Sequence, residues 1–173
     1  IAWYENDGSE SFTEHAISTS ADGAYSVYAA DVDADGDMDV LSASRLDDKI
    51  AWYENDGSES FTEHAISTSA DAAISVFAVD VDGDGDMDVL SASATDEKIA
   101  WYENDGSHAF EYPNFVAHGI STSADGAWSV HAADVDGDGD MDVLSASYID
   151  DKIAWHENDG SESFTEHIIS TAD

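Results

Sequence analysis

A repeat of about 49 residues governs what this chain can fold into. Residues 1–49 and 50–98 are identical at 41 of 49 positions, and residues 99–152 follow the same pattern with five extra residues. A fourth copy spans residues 153–173. A period of this length marks propellers and solenoids, in which each unit buries its apolar face against its neighbours. Four short apolar stretches recur in each unit; in the first they are residues 1–5, 12–18, 25–32 and 39–44. Their aromatic and β-branched content suits strands, and they are too short for helices. Turn formers separate them: Asn6-Asp7-Gly8, Ser20-Ala21-Asp22-Gly23, an aspartate-rich run, and Asp47-Asp48. Four strands per repeat predict an all-β chain built of β-propeller blades.

The aspartate-rich run carries the chemistry. It occurs at residues 31–39, 80–88 and 134–142, with Asp at places 1, 3, 5, 7 and 9 and Gly at place 6. Alternate residues of an extended segment point one way, and the place-6 glycine lets the loop curl. Carboxylates at places 1, 3, 5 and 9 then converge, and the place-7 carbonyl can add an oxygen. Calcium accepts six to eight oxygens in flexible geometry, whereas magnesium demands a stricter octahedron and zinc prefers His or Cys. An EF-hand would need Glu at place 12 and flanking helices. Place 12 here is Ser42, Ser91 or Ser145, and the flanks read as strands. The alternative without metal is a solvated acidic turn, which three copies in matched register disfavour.

At these residues the chain resembles the FG-GAP/VCBS repeat family, which includes the propeller heads of integrin α subunits. The Asp-x-Asp-x-Asp-Gly-x-x-Asp pattern carries the resemblance, and it extends over essentially the whole chain. The family's Phe-Gly pair is not evident before the loop, and its Gly-Ala-Pro segment stands as Ser42-Ala43-Ser44. The resemblance implies about three Ca2+ ions, one per loop. The ligands would be Asp31, Asp33, Asp35 and Asp39; Asp80, Asp82, Asp84 and Asp88; and Asp134, Asp136, Asp138 and Asp142. Asp37, Asp86 and Asp140 would contribute carbonyls. It also implies that the loop joins the innermost strand of a blade, A, to the next, B. Residues 1–22 are then a C–D half blade, and residues 23–71, 72–125 and 126–173 are blades, 3.5 in all. Closed propellers use four to eight. Two copies would leave orphan hairpins, so the expectation is a segment of a larger propeller of about seven blades.

The first two units differ at eight positions, and five lie near the start of strand A or the end of strand B: 23/72, 25/74, 28/77, 45/94 and 46/95. The third unit places Trp128, His131, Tyr148 and Ile149 there. Blade geometry gathers the start of A and the end of B on the face opposite the acidic loops. Tyr25, Arg45, Trp128, His131 and Tyr148 are therefore candidate ligand-binding residues, with drift and inter-blade packing as the alternative. The third unit's insertion, read as residues 107–119, adds His108, Phe110, Tyr112, Pro113, Phe115 and His118. Tyr112 is a further candidate, and a hairpin packed on a neighbour is the alternative. The repeated Trp3, Trp52, Trp101 and Trp155 read as inter-blade core, and His15, His64 and His167 as edge residues.

Charge narrows the partners. The chain carries 40 acidic and 4 basic residues, a net charge of −36. Nucleic acid binding rests on Lys and Arg neutralising phosphates, so neither nucleic acid nor an anionic membrane is expected. There is no cysteine, hence no disulfide framework or thiolate site. No apolar stretch approaches a membrane span. No signal peptide is visible, and the chain opens on Ile1 within a repeat, which reads as a piece of a longer protein. No nucleophile–base arrangement or phosphate loop stands out, so an enzyme is not expected. The function expected is an extracellular or cell-surface module for adhesion or recognition of protein or glycan. Alternatives are a structural subunit of an assembly or filament, and a non-catalytic or channel-mouth part of a secreted enzyme such as a lyase.

Overall fold

The structure is a computed structural model that describes residues 1–106 and 113–171. Among the described residues it is all β. The strands are β1 (Ala2–Asn6), β2 (Phe12–Ala16), β3 (Ala24–Ala30), β4 (Asp39–Ser44), β5 (Lys49–Asn55), β6 (Phe61–Ser67) and β7 (Ala73–Val79). They continue with β8 (Asp88–Ser93), β9 (Lys98–Asn104), β10 (Phe115–Ser121), β11 (Ala127–Ala133), β12 (Asp142–Ser147), β13 (Lys152–Asn158) and β14 (Phe164–Thr171). β1 and β2 form a two-stranded sheet. Three four-stranded antiparallel sheets follow, β3–β4–β5–β6, β7–β8–β9–β10 and β11–β12–β13–β14. These are successive blades of a partial propeller.

The first strand of each sheet lies innermost. Ser26 Oγ on β3 accepts the Val76 N–H of β7 at 3.4 Å, and Ser75 Oγ accepts the Val130 N–H of β11 at 3.4 Å. Rings of Tyr28, Phe77 and His131 run across these strands, with centroids 4.8 and 4.5 Å apart.

Strand alternation sends each sheet's apolar residues to two faces. In the middle sheet Val76, Ala78, Val89, Ala100 and Tyr102 pack against Leu41, Ile50 and Trp52 of the sheet before. Leu90, Ala92, Ile99 and Trp101 pack against Val130, Ala132 and Val143 of the sheet after. Trp52 and Trp101 are thus inter-blade core. On every outer hairpin a histidine stacks on the tryptophan and pairs with a glutamate: Trp3, His15 and Glu5; Trp52, His64 and Glu54; Trp101, His118 and Glu103; Trp155, His167 and Glu157.

This register corrects the extent of the insertion. Phe115 pairs with Asn104 as Phe61 pairs with Asn55, and His118 pairs with Trp101 as His64 pairs with Trp52. Both are ordinary strand residues, so the added segment ends before Phe115. Strand pairing, not the loop's length, sets where β10 begins. Pro113, Asn114 and Phe115 border a cleft of about 430 Å³ together with Trp52, His64 and Ile66 of the preceding sheet. His108, Phe110 and Tyr112 lie outside the described residues.

Two of the differences between the first units are explained by packing. Gly23 has φ +65°, and a Cβ there would come within 2.7 Å of the Leu46 side chain. Ala72 stands at the same place with φ 55°, in a unit that has Thr95 where the first has Leu46. Gly23→Ala should destabilise the chain by roughly 2–4 kcal/mol, combining left-handed strain with overpacking. Adding Leu46→Thr should recover the packing part, leaving about 1 kcal/mol; denaturant melts of both variants measure it. No recovery would mean the two positions are not coupled.

A third difference lies in the last sheet. His156 stands where the other units have Tyr53 and Tyr102; it is 1% exposed and its Nε2 lies 3.0 Å from Ser145 Oγ. Burial lowers its pKa from the ordinary 6.5, with Lys152 adding to the effect and Glu166 opposing it. The unfolded chain therefore takes up this proton more readily than the folded one. The stability tied to His156 is complete above pH of about 6.5 and is lost as pH falls below it. His156→Tyr should remove this component, seen as a shallower fall in melting temperature between roughly pH 6.5 and 5 than in the parent.

Candidate functional site

Each acidic loop joins the first strand of a sheet to the second. In each, one carboxylate oxygen from places 1, 3 and 9 lies within 4.8 Å of the other two: Asp31, Asp33 and Asp39; Asp80, Asp82 and Asp88; Asp134, Asp136 and Asp142. The place-9 aspartates are fully buried. Asp88 accepts the Val81 N–H at 2.9 Å and the Asn104 N–H at 2.8 Å. Asp39 and Asp142 repeat this with Val32 and Asn55, and with Val135 and Asn158.

The place-5 residues sit at the rim of the triad. Asp35, Asp84 and Asp138 each accept the N–H of the place-7 residue at 2.8–3.0 Å. At place 7 the side chains of Asp37, Asp86 and Asp140 lie over Gly57, Gly106 and Gly160 of the adjacent hairpin turn, where a Cβ would meet their carboxylates. Their carbonyls belong to the loop.

The loops are not equivalent. At place 4, Gly83 and Gly137 donate their N–H to Asp80 and Asp134 at 2.8 and 2.7 Å. The first loop has Ala34 there, at φ 60°, and Asp31 Oδ1 is buried without a hydrogen-bond partner. A buried carboxylate oxygen without a donor in the first loop, and converging carboxylates with no His or Cys among them in all three, are a donor set that fits a hard cation.

Electrostatics agree. Burial raises Asp33 to about 6 and Asp88 to about 7, and Asp39 and Asp82 are also raised, chiefly by burial. Backbone N–H donors oppose the shift at each. A raised carboxylate pKa means that, without a cation, stability from these groups grows as pH falls through the raised value toward 3.8. A cation replaces those protons and relieves the repulsion at neutral pH.

Asparagines tie the loops together, a feature not foreseen from their place in Asn-Asp-Gly turns. Besides its N–H bond to Asp88, Asn104 donates from Nδ2 to Val32 O of the preceding sheet's loop at 3.2 Å and to Met87 O at 3.3 Å. Asn158 likewise donates to Val81 O at 3.3 Å and Met141 O at 3.2 Å. Only periodicity, an Asn ending every fourth strand (β1, β5, β9 and β13), hinted at this. Val32 and Val81 are buried beneath the next sheet, whereas Val135 is 45% exposed.

On the opposite face the structure brings together four of the predicted ligand-binding residues. A register shift between Ala24 and Ser26 leaves Tyr25 on a β-bulge, and the same shift occurs at Ile74 and Trp128. Bulges re-aim side chains. Trp128 meets Tyr25 edge-on at 5.7 Å and Tyr148 at 5.3 Å. Arg45, Trp128 and Tyr148 border a cleft of about 490 Å³. His131 does not join them; its ring packs on Phe77 in the inner row. Tyr112 lies outside the described residues.

Among the described residues no helix is long and apolar enough to cross a membrane. No curated protein matches the chain significantly. A profile for the FG-GAP-like repeat matches residues 1–42, 31–91 and 88–145, so that each match spans parts of successive sheets. The chain belongs to the FG-GAP-like repeat family.

Proposed function

We propose that this chain is a calcium-binding recognition module of the extracellular space, with one Ca2+ in each acidic loop and a ligand on the opposite face. The observation that carries it is the convergence of three carboxylate oxygens in each loop, one of them on a fully buried aspartate. Asp31, Asp33 and Asp39 and their counterparts would hold the ion. Asp35, Asp84 and Asp138, with the carbonyls of Asp37, Asp86 and Asp140, stand next to them. An ion would neutralise part of the loop's charge and fix the turn between the first two strands. Several sites of this kind suit the high free calcium outside cells, and the family's repeats are typical of extracellular proteins. The module would bind protein or glycan at a cell surface or matrix rather than catalyse a reaction.

A second reading, as a structural subunit, has one observation in its favour. Ile50 and Ile99 are buried, and Ile66 and Ile120 pack at the inter-blade interfaces, but their counterparts in the last sheet, Ile153 and Ile169, are 42% and 58% exposed. That face has the composition of the two inter-blade interfaces and suits a further sheet.

Calorimetric titration of chelator-treated protein tests the calcium reading. About three ions should bind, each raising stability by about 4 kcal/mol at a thousandfold excess over Kd. Magnesium should not reproduce the rise in melting temperature. Absence of binding, or binding without a change in melting, would reduce the loops to solvated turns.

A further inference from the structure

We infer that the bulge-presented aromatic corner formed by Tyr25, Trp128 and Tyr148, with Arg45 beside it, binds a sugar residue that carries a carboxylate. The inference rests on the recognition function proposed above and names its ligand class.

Units that are otherwise nearly identical differ where this corner forms. The first sheet supplies Tyr25 and Arg45, and the third supplies Trp128 and Tyr148. The sheet between them has Ile74, which is buried, and the short Ala94 and Thr95. Tall side chains therefore rise only from the flanking sheets. The three rings are 44–57% exposed. They meet nearly at right angles, at 83° and 78°. Such a corner offers ring faces to the C–H faces of a pyranose from two directions.

The charge selects the ligand. Each of the three lysines is held by carboxylates: Lys49 by Asp47 and Glu63, Lys98 by Asp96, and Lys152 by Asp150 and Glu166. Arg45, the sole arginine, has no ion pair among the described residues and faces the cleft. A guanidinium there excludes a cationic guest and offers a planar fork to a carboxylate. The net charge of −36 repels a densely charged polyanion. A ligand bearing one carboxylate per sugar meets both conditions. The cleft volume lies in the range of small-ligand sites, and three lining side chains are far fewer than a standard protein interface needs.

The test uses the 173-residue chain in calcium-replete buffer, with calorimetry and tryptophan fluorescence as readouts. The probes are a uronic-acid oligosaccharide, sialyllactose and a neutral cello-oligosaccharide. Saturable binding of either acidic probe, with the neutral one at least about tenfold weaker, is expected. Arg45→Ala should weaken the acidic probe by about ten- to hundredfold, and Arg45→Lys by less, because it keeps the charge and loses the fork. Trp128→Ile, which installs the residue of the middle unit, should abolish binding with calcium uptake and melting unchanged. Uronates also chelate calcium, so binding through the acidic loops would survive Arg45→Ala and overturn the inference. So would equal binding of the neutral probe, or no binding at millimolar concentration. If calcium titrates normally while no sugar binds, this inference falls and the calcium reading stands. If calcium fails to bind, the same titrations in chelator decide the sugar site separately.

Discussion

Asp88→Ala lowers the melting temperature by roughly 5–20 °C even in chelator, because it orphans two buried N–H groups at about 1–3 kcal/mol each. The donors are Val81 and Asn104. With calcium present the loss is larger by the linkage of that loop's ion. Asp82→Asn is the informative contrast. Its side chain is partly exposed and accepts only the Asp84 N–H, which an asparagine oxygen can also take. In chelator Asp82→Asn should melt within about 1 kcal/mol of the parent; with calcium it should lack one ion's increment. Paired melts of the two variants, with and without calcium, separate the architectural aspartate from the one whose work is done only with a cation. Equal losses in chelator would mean that place 9 has no structural share beyond place 3.

Calcium affinities should divide, two tighter and one weaker. The loops at residues 31–39 and 80–88 are roofed by the following sheet and braced by Asn104 and Asn158. In the loop at residues 134–142, Asp134 and Asp136 are exposed, and so is Val135, which receives no such asparagine among the described residues. Exposed carboxylates attract an ion through water rather than through protein, and the loop must be ordered on binding. A gap of about tenfold or more is expected. Asp136→Asn should then erase the weakest phase of the titration, and Asp82→Asn one of the tighter ones. Three indistinguishable sites would show that the roof and the brace add nothing.

What could be read from the sequence was what short-range chemistry dictates. The four strands per unit follow from alternation and turn residues within 49 positions. The acidic loops follow from aspartate spacing, and three copies in register made the aspartate triads legible. Tryptophan recurrence announced the inter-blade core, because a residue in every unit at one strand position faces the same kind of neighbour. The remainder depends on contacts between sheets. The bulge at Tyr25, Ile74 and Trp128 is a register event between paired strands, invisible in either strand alone. The asparagine braces join atoms 72 and 77 residues apart. The start of β10 was misjudged because an insertion's length is plain in sequence but its end is decided by pairing. His131 was grouped with Trp128 because both vary, yet its ring packs on Phe77 in the inner row.

The asparagine braces also give the array a mechanical polarity. The first two loops are each finished by the sheet that follows, and among the described residues neither asparagine reaches a loop from the sheet before. A sheet peeled from the C-terminal side strips the brace from the loop behind it, so tension applied there would loosen an acidic loop that has not itself unfolded. A sheet peeled from the N-terminal side takes its own loop away and leaves the next one braced. Under load, then, retention of an ion held in these loops would depend on which end of the row is pulled.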